Sequence, residues 1–138
     1  MNYIIIEDED PAAVRLEKMI QEILPGAKKI EHLVSVTSAV KFLKSNTHPD
    51  LIFMDIQLGD GSSFEIFNQI TPDCPIIFTT AYDQYAIQAF KVNSIDYLLK
   101  PIKKEELTEA ISRFRQRSSQ HPSVPVDYGK LVALIKGK

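Results

Sequence analysis

Leu51-Ile52-Phe53-Met54-Asp55 is a run of four large apolar residues closed by a carboxylate, and its reading decides the fold. A run without polar alternation suits a strand buried on both faces of a parallel sheet. In open α/β sheets the ligand crevice lies beyond the carboxyl ends of the strands, which puts Asp55 at its floor. A purely structural acid would more often cap a helix or face solvent. Chemistry is therefore assigned to Asp55 only if other strands bring complementary groups to the same edge.

Upstream, Tyr3-Ile4-Ile5-Ile6 is a run of the same kind that ends in Glu7-Asp8-Glu9-Asp10. Asp10-Pro11 has the form of an N-cap with proline at the first helical position. Leu16, Met19, Ile20 and Ile23 then keep helical spacing until Pro25-Gly26. Lys29 to Val34 reads as a second strand, and Ser35 or Thr37 as the cap of a short helix with Ala39, Phe42 and Leu43. Downstream, Gln57 to Gly61 is a loop, and Ser62-Ser63-Phe64-Glu65 matches a capping box opening a helix with Ile66, Phe67 and Ile70. Pro75 to Phe78 is a fourth strand ending in Thr79-Thr80. Tyr85, Ala86, Ala89 and Phe90 predict a shorter helix, and Ile95 to Leu99 a fifth strand closed by Lys100-Pro101. The pattern from Lys103 to Arg117 predicts a last helix burying Leu107, Ala110, Ile111 and Phe114. Five strands alternating with five helices predict an α/β fold, a doubly wound five-stranded parallel sheet with right-handed crossovers.

The remaining bounds agree with one domain. The chain has 138 residues, 44% hydrophobic and 25% charged, near the globular average. No apolar run approaches the ~20 residues of a membrane span, and the N-terminal strand meets acids too early for a signal peptide, so a cytoplasmic protein without membrane attachment is expected. The single Cys74 predicts no internal disulfide, and three scattered histidines no zinc site. A net charge of −2 offers no global attraction to nucleic acid. Residues 118–138 divide into a polar, proline-punctuated linker and a short apolar stripe, Tyr128, Leu131, Val132 and Ile135. That stripe is too short to bury itself.

Several strand ends converge on one edge: Glu7 and Asp8 from the first strand, Asp55 from the third, Thr80 from the fourth and Lys100 from the fifth. Three carboxylates in one place repel unless one is protonated or a cation sits among them, and oxygen ligands favour Mg²⁺ or another hard divalent ion. A carboxylate, such an ion, a hydroxyl and a lysine are what a transferred phosphoryl group needs, because its transfer is governed by positioning and charge stabilisation. Asp55 is then the nucleophile, forming an acyl phosphate. Singly, each other residue has a plain reading: Asp10 as helix cap, Glu9 as solvated acid, Lys100-Pro101 as strand terminator, Tyr97 as half-buried core. For Glu7, Asp8, Thr80 and Lys100 the joint arrangement at one edge reverses the plain reading.

The acidic Glu7-Asp8-Glu9, the Met54-Asp55 strand end, Thr80-Ala81 and Tyr97-Leu98-Leu99-Lys100-Pro101, in that order, resemble the receiver domain of two-component response regulators, a flavodoxin-like (CheY-like) fold. More narrowly, Phe78 to Ala86 and Val92 to Ile102 resemble the LytTR (LytR/AlgR-like) branch of transcription regulators. The resemblance covers roughly residues 1–117, so residues 118–138 are expected to lead toward a C-terminal LytTR DNA-binding domain that these residues do not include.

The resemblance implies that Asp55 accepts a phosphoryl group from the phosphohistidine of a sensor histidine kinase. It implies that Asp8, Asp55 and the Gln57 carbonyl hold Mg²⁺, with Glu7 assisting through water, and that Thr80 and Lys100 contact the phosphoryl oxygens. Thr80 and Tyr97 act as the switch, remodelling the face of the fourth helix, fifth strand and fifth helix, which forms an active homodimer. Lys91, Asp96 and Arg115 are the expected interface charges, and Lys100-Pro101 is expected to be cis. DNA is touched only through the output domain. The chain is then a signalling switch that modifies itself rather than an enzyme with a separate substrate.

There are departures. Glu7 replaces the more frequent aspartate, Gly59 stands where proline is common, and Ser62-Ser63 replaces Asp-Gly. A haloacid dehalogenase-type phosphatase would need an acid where Gln57 stands, and no glycine-rich loop supports a dinucleotide site. The alternative reading is a degenerate receiver that binds partners without phosphorylation, against which the complete acid, threonine and lysine set argues.

Overall fold

Side chains alternate across a strand, and the apolar runs of this chain use both directions. A computed structural model describes residues 1–45, 49–72, 74–81 and 96–119. In it β1 (Asn2–Ile6), β3 (Leu51–Asp55), β6 (Ile76–Thr80) and β7 (Asp96–Leu99) join the edge strand β2 (Lys28–Leu33) in one sheet. All pairings are parallel, in the order β2-β1-β3-β6-β7. Ile4, Ile6, Ile52, Met54, Ile76 and Phe78 face one side, where α2 (Val36–Ser45) supplies Ala39, Val40 and Leu43. Tyr3, Ile5, Leu51, Phe53 and Ile77 face the other, against Ala13, Leu16 and Ile20 of α1 (Asp10–Ile23) and Leu107, Ala110, Ile111 and Phe114 of α3 (Lys104–Ser119). Each fully buried large side chain contributes roughly 1.5–3 kcal/mol of transfer free energy, so both helical layers are held by the strands whose residues show no alternation.

The edge strand differs in kind. The β1–β2 register slips between Tyr3 and Ile4, leaving Ile30 as an extra residue opposite β1, and Ile30 is exposed. A bulge of this sort twists an edge away from further pairing.

Local structure departs from expectation in three places. Asp10 is not the helix cap: it opens α1 as an acid of the first turn, favourable to the helix dipole, while Glu9 occupies the cap with extended backbone and no side-chain capping bond. Of the two residues expected as the cap of α2, Ser35 takes the role, accepting from Ser38 N–H at 3.0 Å while the Ser38 hydroxyl accepts from Ser35 N–H at 3.1 Å. The helix expected after Ser62 is a short 3₁₀ helix, Ser63–Asn68, capped by Ser62 through Phe64 N–H. Ahead of it, β4 (Gln57–Leu58) and β5 (Gly61–Ser62) form a small antiparallel hairpin turned by Gly59-Asp60 where a plain loop was expected. The 3₁₀ helix still delivers Phe64 onto Phe78, ring centroids 5.3 Å apart. Cys74 is buried, as expected of a small apolar side chain. The predicted helix from Tyr85 to Phe90 and the segment after α3 lie outside the described residues.

Ser63 is fully buried and its hydroxyl has no hydrogen-bond partner among the described residues. An unsatisfied buried hydroxyl costs about 1–3 kcal/mol, so Ser63→Ala is expected to stabilise the fold by about 1 kcal/mol. A rise in the urea midpoint at unchanged m-value checks this.

Candidate functional site

The chain order reverses direction at β1, whose neighbours β2 and β3 lie on opposite sides, and the carboxyl edge beside it is the crevice of a doubly wound sheet. β1 runs out into Glu7 and Asp8, β3 ends in Asp55, β6 ends in Thr80, and Lys100 follows β7. The predicted acids, threonine and lysine therefore stand on four adjacent strand ends. One carboxylate oxygen from each of Glu7, Asp8 and Asp55 lies within 4.8 Å of the others. Asp8 is exposed, whereas Glu7 and Asp55 are only 4% and 6% exposed.

Lys100 organises the buried pair. Its Nζ lies 2.6 Å from Glu7 and 3.0 Å from Asp55, so one ammonium bridges two acids. Its backbone is fixed by an N–H bond to the Thr80 carbonyl at 2.8 Å, and Lys100-Pro101 is a cis peptide as expected. Burial acts to lower the Lys100 pKa, but its hydrogen bonds to Glu7 and Asp55 outweigh burial and raise it. Glu7 is pushed up to about 7, first by burial and further by Asp55, with Lys100 opposing. A raised carboxyl binds its proton more tightly when folded. Its contribution to stability is present below the ordinary value near 4.5 and is lost as pH rises toward 7. In chelator, stability is therefore expected to fall between pH 5 and 7.5, and Glu7→Gln to flatten that profile, as read from urea midpoints across the range.

Gln57 is positioned by the hairpin. Its N–H donates to Asp55 Oδ1 at 3.3 Å, and Ser63 N–H to the Ile56 carbonyl at 2.8 Å. In an antiparallel ladder hydrogen-bonded pairs alternate with open ones, so the Gln57–Ser62 pair next to Ile56–Ser63 is an open pair. Both the N–H and the C=O of Gln57 therefore turn out of the hairpin, and the N–H reaches Asp55. With three carboxylates nearby, the oxygen-only donor set fits a hard divalent cation such as Mg²⁺.

Thr79 and Thr80 are both buried, and Thr79 pairs with Asp55 across the sheet. Tyr97 is half-buried and packs on the apolar layer that includes Phe78. Asp96 is 9% exposed and receives the Arg113 guanidinium at 2.8 Å. Expected as an interface charge, it is held within the chain. Arg115 is exposed on α3, and Lys91 lies outside the described residues. Asp60, which the sequence reading passed over as loop, accepts from Val36 N–H at 2.8 Å and Thr37 N–H at 3.2 Å. An Asp-Gly turn after an acid-ended strand was the available signal, but nothing local names a helix 24 residues away as its partner.

Comparisons with known proteins agree with this geometry. Residues 3–112 match the response regulator receiver domain family. The chain is 35% identical over 123 residues to the sensory transduction protein LytT of Enterococcus faecalis, covering 87% of this chain and 50% of that protein. It is 35% identical over 121 residues to the transcriptional regulatory protein BtsR of Salmonella typhi, covering 85% and 49%. The chain thus spans about half the length of the curated relatives it matches. Among solved structures, the response regulatory domain of mrkE from Klebsiella pneumoniae superposes with a TM-score of 0.73 at 26% identity, over 88% of this chain and all of that one. The receiver domain of PhyR from Erythrobacter litoralis gives 0.69 at 28% identity, over 91% and 95%. With an acid-lined strand edge, a lysine bridging its buried carboxylates and a family match over most of its length, the chain belongs to the response regulator receiver domains, the phosphoryl-accepting signalling switches of two-component systems, on their LytT-like branch.

Proposed function

We propose that Asp55 is the phosphoryl acceptor of this domain and that a sensor histidine kinase is its donor. The observation that carries the reading is the Lys100 ammonium spanning Glu7 and Asp55 beside the exposed Asp8. In the transfer, an Asp55 carboxylate oxygen attacks phosphorus, the N–P bond of the phosphohistidine breaks, and the imidazole leaves with a proton from solvent. Asp8, Asp55 and the Gln57 carbonyl would hold Mg²⁺ directly, with Glu7 through water. The ion supplies neutralisation of the charge building on the phosphoryl oxygens. Lys100 exchanges its carboxylate partners for a phosphoryl oxygen, and Thr80 gives its hydroxyl to another.

Thr80 moving toward the phosphoryl group leaves space behind it for the Tyr97 ring, and the surface beside β7 and α3 is remodelled. That surface, with Lys91, Asp96 and Arg115, is the homodimer face of this reading, and Asp96 also pairs with Arg113. The output is transcription, exerted on DNA through a LytTR domain beyond these residues. The chain works in the cytoplasm as a self-modifying switch rather than as an enzyme on a separate substrate. Among the described residues no helix is long and apolar enough to cross a membrane.

Intact-mass analysis after incubation with Mg²⁺ and a small phosphodonor tests the reading. One phosphoryl adduct, absent in Asp55→Ala or with chelator and labile to hydroxylamine, is the expected result. No adduct despite bound metal would point to a phosphorylation-independent interaction module.

A further inference from the structure

One side chain of the hairpin beside the acidic cleft reaches across to the start of α2. Asp60 sits in the turn between β4 and β5, and its carboxylate reaches the start of α2. Oδ1 accepts from Val36 N–H at 2.8 Å, and Oδ2 accepts from Thr37 N–H and the Thr37 hydroxyl, each at 3.2 Å. The first N–H groups of a helix have no partner within it, so a carboxylate placed there satisfies two of them and meets the positive end of the helix dipole. The N–H of Val36 is the chief reason the Asp60 carboxyl lies below the usual carboxylate range; burial opposes it, and the Thr37 N–H and hydroxyl add to it.

The clamp has a consequence at the other end of the hairpin. A Cβ added at Gly59, next to Asp60, would lie 3.6 Å from Asp8 Oδ2, so the turn backbone rests against the exposed acid of the cleft. Gln57, two residues earlier, gives its N–H to Asp55 Oδ1 at 3.3 Å. β2 leads directly into α2, and Leu33 at its end accepts the Glu7 N–H at 2.9 Å. Asp60 therefore links the strand-end acids of β1 and β3 through the β2–α2 corner.

We propose that Asp60 is a positioning residue for the metal pocket: by holding the N-terminus of α2 it keeps the Gln57 carbonyl and the Gly59 backbone in place around Asp8 and Asp55. The proposal rests on the Mg²⁺ reading given above. Groups that orient metal ligands without touching the metal characteristically govern affinity by 10- to 100-fold. Coupling between two sites is also reciprocal, so a metal that needs the clamp must tighten it.

Calorimetric titration with Mg²⁺ of the unsubstituted protein, Asp60→Ala and Asp60→Asn tests this, beside the urea stability of each without metal. Asp60→Ala is expected to bind Mg²⁺ about tenfold more weakly. Asp60→Asn, which lacks the charge and keeps an acceptor oxygen for only one of the two backbone N–H groups, is expected to fall between the two, about threefold weaker than the unsubstituted protein. An equal loss in both variants would make the effect one of charge alone and overturn the proposal. So would a loss of stability in Asp60→Ala with Mg²⁺ affinity unchanged. Hydrogen exchange in the unsubstituted protein gives a check that needs no variant: the Val36 and Thr37 amides are expected to exchange several-fold more slowly with Mg²⁺ bound, and unchanged exchange would also overturn it. If the unsubstituted protein gives no heat of Mg²⁺ binding, the metal reading itself fails, and the proposal with it.

Discussion

Asp55→Asn is expected to abolish phosphoryl uptake and, at pH 8 without metal, to make the protein more stable. The first effect follows from removing the attacking oxygen of the carboxylate that ends the central strand β3 beside Lys100, so the adduct is expected to fall below about a hundredth of its unsubstituted level. The second follows from counting neighbours. Asp55 faces two like charges, Glu7 and Asp8, with oxygens within 4.8 Å, and one opposite charge, Lys100 at 3.0 Å. Unit charges about 4 Å apart near a surface interact by roughly 4 kcal/mol at an effective dielectric of 20. Two repulsions relieved therefore outweigh one attraction lost, particularly since Lys100 keeps Glu7 at 2.6 Å. After solvent screening and relaxation a net gain of roughly 1 kcal/mol remains, the usual trade between function and stability at such sites. Intact mass with a phosphodonor reads the first effect and urea unfolding in chelator the second. A variant that lost stability would mean that the Lys100 pair, rather than the acid repulsion, dominates the cleft.

Lys100→Met is expected to act in the opposite direction on stability. Methionine approximates the length of the stem and supplies no charge, so Glu7 and Asp55 are left buried together without a cation. Removing one partner of a buried ion pair costs about 3–5 kcal/mol, and a loss of about 3 kcal/mol is expected at pH 8, above the value of about 7 to which Glu7 is pushed. Glu7 is already pushed up to about 7 with Lys100 holding it down. Without that lysine it rises further, and at pH 5.5 it carries a proton. The repulsion is then gone, so the loss at pH 5.5 is expected to be at most half that at pH 8. Phosphoryl uptake is expected to slow about 10²-fold, the typical cost of one lost donor to a developing anionic oxygen. Unfolding at the two pH values and the time course of adduct formation measure both parts.

The architecture was largely legible because its signals are local. β1, β3 and β6 are uninterrupted apolar runs that only a sheet covered on both faces accommodates, and Glu7, Asp8, Asp55, Thr80 and Lys100 each stand at or just beyond a strand end. Parallel pairing then brings those ends to one edge. Element ends were read less well. Asp10 and Glu9 are both acids before a proline, and which of them takes the extended cap conformation depends on how β1 feeds into α1. The helix expected after Ser62 became a 3₁₀ turn behind a hairpin, between β3 and the prolines at 72 and 75.

The sequence by itself determined the sheet, its two apolar layers and the set of groups at its carboxyl edge, because alternation and strand termination are properties of neighbouring residues. Only the tertiary structure decided the pairings among those groups. Lys100 crosses from β7 to Glu7 on β1, Arg113 folds back to Asp96, and Asp60 finds the start of α2. Each of these bonds joins residues 17 to 93 positions apart, and charge alone does not choose among the many acids and bases of the chain. The choice belongs to the packed strands and helices, which set which charge is buried beside which.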